Sequence, residues 1–167
     1  MKAVIQRVVS GSVSVDGNMV SSIGKGIVAL VGIHRDDTKA DLDYIVRKLV
    51  TLRLWEDEGG RRWAKSAKDL DLEILCVSQF TLYCTMKGNK PDYHLAMAGD
   101  AAKEFYNQFL AEMKLGLGED KVKDGEFGAY MQVDIKNDGP VTIDLDIPPP
   151  SKVDKDTENA QSVTTQD

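Results

Sequence analysis

The chain has 167 residues, 42% of them hydrophobic and 29% charged, with a formal net charge of −6. That suits one soluble domain with a substantial core and speaks against a broad basic surface for nucleic acid. No apolar run approaches the roughly 20 residues that span a bilayer, and two cysteines, Cys76 and Cys84, are too few and too far apart for a zinc set or a CxxC redox pair. The expected home is the cytoplasm, with no membrane association and no cofactor.

Residues 1–9 alternate like a strand and lack the apolar stretch of an export signal. "SVSV" at 12–15 reads as a second strand after a tight link at Ser10-Gly11, and "DGN" at 16–18 as a turn. "GIVALVGI", 26–33, reads as a buried strand, and "HRDDT" after it supplies Asp and Thr as helix N-caps. Leu42, Ile45, Leu49 and Leu52 then recur at helical spacing, with Asp41 and Asp43 in the first turn where they suit the dipole. A short strand around "LRLWE" is followed by the turn "DEGG" and a polar stretch containing Trp63. "DLEILCVSQFTL", 71–82, starts as a core strand and ends in hydroxyl and amide residues. A second helix carries Ala102, Phe105, Phe109 and Met113 on one face, and "GAYMQVDI" and "GPVTIDLD" read as paired closing strands separated by "KNDG".

After Ile147, "PPP" and a polar stretch without aromatics cannot bury enough surface to offset ordering entropy. Residues 1–147 are therefore expected to form the domain, and 148–167 a flexible tail carrying −2 of the net charge. The element order argues a single α/β domain with a helical layer against sheets. No GxGxxG follows the first strand, which speaks against a parallel dinucleotide-binding sheet.

Chemistry has few places to reside. His34 and His94 are the only histidines, no GxSxG nucleophile turn is present, and the acidic pairs Asp36-Asp37 and Asp69/Asp71 lack metal-site spacing. No metal is expected. In "VSQFTLY" a strand pattern breaks into Ser78, Gln79, Phe80 and Thr81 as it leaves the core. Two readings stand: ordinary strand hydroxyls, or a polar strand end whose freed N–H groups hold an oxyanion. Thr81 as a nucleophile would need a base beside it, and the sequence nominates none. "NDGP" likewise reads as a plain turn feeding a strand until it is taken with the segments that follow.

"SQFTL" at 78–82 and "NDGPVT" at 137–142 together resemble the SQxxL and NxGPxT motifs of the D-aminoacyl-tRNA deacylase family. "MKAVIQRV" at the start, "KGNKPDYH" at 87–94 and "FGAYMQV" at 127–133 extend the likeness over residues 1–147, and "KGNKPDYHLAM" is similar to the eukaryotic branch. The resemblance implies a homodimer of layered β/β/α fold, with mixed sheets and two main helices packed on one side. It implies hydrolysis of the ester joining a D-amino acid to the 3′ end of tRNA, and of mischarged glycyl-tRNA. Ser78, Gln79, Phe80 and Thr81 would form the catalytic edge. Gly139 and Pro140, joined by a cis peptide, would enter the partner's site as a chirality gate. Phe127 and Met131 would line the pocket, Lys87, Asn89, Lys90 and Pro91 would meet the tRNA end, and Asn137 and Thr142 of the motif would also bind substrate. The family's chemistry points to help from the 2′-OH of the terminal adenosine, with the Phe80 N–H as oxyanion donor. The alternative is a non-catalytic nucleic-acid or chromatin-binding module on the same fold.

Overall fold

The computed structural model describes residues 1–147; the expected tail, 148–167, lies outside them. Strand β1 (Lys2–Val15) pairs on one side with β3 (Gly26–Gly32) and on the other with β10 (Met131–Asp146), both antiparallel. β3 pairs in parallel with β6 (Glu73–Ser78), and β6 in parallel with β9 (Val122–Asp124). The order β10-β1-β3-β6-β9 is thus a mixed sheet, and β2 (Asn18–Ile23) pairs off the path with β1. Two small hairpins complete the strands: β4 (Arg53–Trp55) with β5 (Lys65–Ser66), and β7 (Thr85–Lys87) with β8 (Lys90–Asp92).

Parallel neighbours need crossovers, and the two helices provide them: α1 (Lys39–Thr51) joins β3 towards β6, and α2 (Gly99–Leu117) joins β6 towards β9. α1 starts at Thr38, whose N–H and hydroxyl both donate to the Asp41 carboxylate at 2.8 and 2.7 Å. Burial pushes that carboxyl up, but the Thr38 bonds outweigh it and hold it below the usual range. Leu42, Ile45 and Leu49 of α1 and Tyr106, Phe109 and Met113 of α2 share one core with Ile5, Ile27 and Ile74 of the sheet. On the opposite face a second cluster gathers Val8, Val13, Ile23, Val28, Leu75 and Val77. The far halves of β1 and β10 therefore fold with β2 over the sheet, giving the layers β/β/α.

Three expectations change. Residues 1–9 and 12–15 are one strand, because Ser10 and Gly11 stay in register with Lys136 and Ile135. The closing segments do not pair with each other: both belong to β10 and both pair with β1, so "NDGP" is a bulge within a strand. On α2, Tyr106 holds the buried position while Phe105 is only partly covered. No helix among the described residues is long and apolar enough to cross a membrane.

Candidate active site

The cavity lies at the carboxyl ends of β3 and β6, where parallel strands leave a crevice. β6 ends at Ser78, and the Gln79 N–H still donates to the Val31 carbonyl at 2.8 Å, carrying the chain one residue past the strand. A 3-10 turn, Phe80–Tyr83, then folds back over Gly32. A Cβ on Gly32 would stand 3.0 Å from Leu82 Cβ, 3.2 Å from the Gln79 carbonyl and 3.3 Å from Tyr83 Cδ2, so only glycine admits the turn at this height. Tyr83 anchors the turn from below, buried and edge-on to the His34 ring at 5.0 Å. Gln79 Nε2 donates to Thr81 Oγ1 at 2.5 Å and ties the two motif side chains together. With Tyr83 turned inward, Phe80 points outward and is 56% exposed. Its N–H opens the turn and has no acceptor within it.

Residues 93–99, the first turn of α2 and residues 127–131 supply the other walls of a cavity of about 570 Å³. The Met97 N–H donates to the Ile33 carbonyl at 2.9 Å, stitching the first of these walls to the end of β3. Phe127 leans on Tyr106, ring centres 5.5 Å apart, and the Tyr106 hydroxyl donates to Asp124 at 2.8 Å. Burial pushes the carboxyl of Asp124 and the phenol of Tyr106 up. Ser78, Gln79, Phe80, Phe127 and Met131 all line the cavity, beside Tyr93, Met97 and Tyr130, which composition and periodicity do not flag.

Lys87, Asn89, Lys90 and Pro91 do not line it; they stand exposed on the β7–β8 hairpin, one residue beyond which Tyr93 does. Asp92 organises this hairpin. It meets Lys87 Nζ at 2.5 Å and the His94 ring, and those partners, Lys87 first, hold its carboxyl well below the usual range. Tyr93 packs edge-on against Phe80 at 5.1 Å and so links the hairpin to the SQF segment.

Gly139 and Pro140 lie elsewhere. Between the pairs Gln6–Thr142 and Val8–Asn137, four residues, 138–141, stand opposite the single Arg7. The Asn137 side chain spans the bulge: its Oδ1 accepts from the Val141 N–H at 2.7 Å, while Nδ2 donates to the Val141 carbonyl at 3.2 Å and to Thr142 Oγ1 at 3.0 Å. Gln6 Nε2 also reaches Thr142 Oγ1, at 3.3 Å. Arg7 clamps the other side, with Nε on the Asp138 carbonyl at 3.1 Å and Nη1 on the Leu54 carbonyl at 2.5 Å. Gly139 has φ +135, a region L side chains rarely adopt, and the Gly139-Pro140 peptide is cis. Both residues are exposed. Arg7 is a site residue that the motifs do not include, although an arginine on the inward phase of an alternating strand is a signal of a polar partner.

The register gives the separation. Lys2 stands opposite Gly32 at the cavity end of β3, whereas Arg7 stands opposite Ile27. Five residues of strand amount to roughly 16 Å, with the bulge on β10 further displaced across the sheet. The Gly-Pro bulge does not line the cavity of its own chain.

Among the described residues no group of three or more His, Cys, Asp or Glu side chains is placed to hold a metal ion. The histidines serve structure: His34 is buried and accepts at Nδ1 from the Asp36 N–H at 3.1 Å, and His94 is paired with Asp92. What remains at the cavity edge is a set of hydrogen-bonding groups without a base beside Ser78 or Thr81. Such an edge is suited to positioning and polarising a bound group.

Known proteins share this sequence and fold. D-aminoacyl-tRNA deacylase 1 of Homo sapiens is 51% identical over 166 residues, 99% of this chain and 79% of the relative. D-aminoacyl-tRNA deacylase of Drosophila melanogaster is 56% identical over 158 residues, 95% of this chain and 99% of the relative. The solved structure of a c-Myc DNA Unwinding Element Binding Protein is 55% identical with a TM-score of 0.85, over 89% of this chain and 99% of that one. The profile of the D-Tyr-tRNA(Tyr) deacylase family matches residues 4–146, taking in both the SQF edge and the Gly-Pro bulge, and the chain belongs to that family.

Proposed function

We propose that this chain hydrolyses the ester of D-aminoacyl-tRNA, and of glycyl-tRNA, as a homodimer in which the Gly139-Pro140 bulge of each subunit closes the cavity of the other. The observation that carries the reading is the pairing of a polar cavity edge with a well-braced, outward-facing bulge that is about 16 Å too far along the sheet to serve its own cavity. A two-fold pair exchanges such features reciprocally.

The aminoacylated terminal nucleotide enters the cavity with its ester at Ser78, Gln79 and Phe80. Water adds to the acyl carbon, the bond to the 3′ oxygen breaks, and the products are the free amino acid and a 3′-hydroxyl. The 2′-OH of the terminal adenosine activates the water, and the Phe80 N–H receives the developing oxyanion; one such donor is worth about 10²–10³ in rate. Thr81 is not the nucleophile, since its hydroxyl oxygen already accepts from the Gln79 amide, which cannot act as a base. The backbone of the partner's bulge stands where an L side chain would project. A D side chain points away, and glycine has none to exclude. Forcing atoms into packed volume costs about 1–3 kcal/mol, more where the wall is backbone.

A second reading, a DNA-binding module, draws support from the 55% identical solved structure, which is named as a protein that binds a DNA unwinding element. A paired time course on D-tyrosyl- and L-tyrosyl-tRNA at equal low enzyme decides between them. Rapid loss of the D ester with the L ester spared is expected. Loss of neither from folded protein would overturn the hydrolase reading, and loss of both would overturn the gate.

A further inference from the structure

Four aromatic side chains are exposed among the described residues: Trp63, Phe80, Tyr93 and Tyr130. Three of the four line one cavity. Phe80 is accounted for by the turn that expels it, but Tyr93 and Tyr130 are not. Tyr130 is 86% exposed although it belongs to the cavity wall, and Tyr93 is 36% exposed with its edge contact to Phe80.

We infer that Tyr93 and Tyr130 form a stacking platform on the cavity rim for the unpaired nucleotide that precedes the aminoacylated one. The inference rests on the deacylase reading. A cavity of about 570 Å³ is of the size that encloses one drug-sized ligand, so a terminal nucleoside with its aminoacyl group fills it and the preceding nucleotide remains on the rim. Unpaired bases are held by aromatic faces in a way that tolerates any base. Charge is scarce for the holding. The described body carries −4, and of the hairpin's two lysines Lys87 is tied to Asp92. Neither tyrosine belongs to the catalytic edge.

The test compares kcat/KM for D-tyrosyl-tRNA with that for the D-tyrosyl ester of adenosine, which has no preceding nucleotide. Tyr130→Ala is expected to lower the ratio of the two at least about fivefold, the lower end of what one base–aromatic stack supplies, through KM for the tRNA ester. Tyr130→Phe keeps the ring face and is expected to restore the ratio. An unchanged ratio, whether both substrates fall together or neither falls, would overturn the platform. So would a fall that tracks loss of the dimer in light scattering, which would assign Tyr130 to the subunit contact. Wild-type protein that cleaves neither ester refutes the deacylase reading and this inference with it; wild type that cleaves the tRNA ester, with Tyr130→Ala unaltered, refutes this inference alone.

Discussion

Gly139→Ala tests both the construction of the bulge and its role. At φ +135 an alanine is held in a sparsely populated backbone region, which costs about 1–3 kcal/mol. Its Cβ would also meet Val141 Cγ2 at 2.8 Å, the Val141 nitrogen at 3.0 Å and Arg7 Nη2 at 3.3 Å. The Val141 nitrogen is backbone and fixed by Asn137, so relief falls on the Val141 side chain and on Arg7, whose bonds to Asp138 and Leu54 then lengthen. Overpacking adds about 1–3 kcal/mol. Because Gly139 is exposed and the bulge can lift before the sheet does, the sum belongs near the lower end, about 2–3 kcal/mol. For a chain of this size that is a fall of roughly 4–12 °C in Tm, read by thermal unfolding at matched protein concentration.

The functional expectation is loss of D-over-L selectivity in tyrosyl-tRNA hydrolysis. Co-expression with an excess of Gln79→Ala subunits, whose cavity edge is disabled and whose bulge is intact, should return selectivity to the Gly139→Ala cavities. That recovery occurs only if the bulge serves the partner; a bulge acting within its own chain leaves selectivity lost. A Tm within about 1 °C of wild type together with unchanged selectivity would refute the reasoning at its root, since a strained backbone region carries a cost of its own.

Thr81→Ala should keep at least a tenth of the wild-type rate on D-tyrosyl-tRNA, and a thousandfold loss in a folded dimer would establish Thr81 as nucleophile. Gly32→Ala should push the 3-10 turn outward by a few tenths of an ångström and cost about tenfold in kcat besides about 1–3 kcal/mol of overpacking; wild-type kcat would show that the turn's height is unimportant. The Asp92 carboxyl, depressed first by Lys87 and then by His94, contributes its stabilisation of the hairpin above the ordinary value of 3.8 and loses it as pH falls through its lower folded value. An NMR titration should therefore place Asp92 below 3.8 and Lys87→Ala should raise it; an ordinary midpoint in both proteins would remove the pair from the hairpin's support.

Periodicity locates the elements that bury a full face. α1 and α2 are legible because Leu42 and Phe109 fall on helix phases, and β3 and β6 because they are short apolar runs buried on both faces. Short edges such as β2 and β9 are not, since Asn18–Ile23 buries only Ile23 and Val122–Asp124 only Val122. The single span of β1 is hidden by Ser10-Gly11, residues that suit a link yet here remain in the ladder. The cavity edge can be read from the polar break after Val77, but its opposite wall cannot. Met97 and Ala102, around the start of α2, and Tyr130, just before β10, come from two distant stretches that only the fold brings together. The bulge reads as a turn because Asn, Asp, Gly and Pro carry the same steric preferences in both. What distinguishes them is the partner strand, and Arg7 of β1 lies 131 residues from Asp138.

The residues of the Gly-Pro segment divide by what they answer to. Asn137 holds both backbone groups of Val141, Thr142 accepts from Asn137 and Gln6, and glycine at 139 alone fits between Val141 and Arg7. Each of these has its reason inside the chain. Pro140 does not: it is exposed and has no N–H to donate. A bulge of four residues against one breaks the ladder, and its bracing by Arg7 and Asn137 holds an exposed tip in one place. Phe80 is the converse at the other end of the sheet, an exposed ring on a turn pinned from below by Tyr83 and Gly32. On the proposed dimer, these two outward-facing features, well separated along the sheet, would be exchanged by a two-fold axis to make two sites at once.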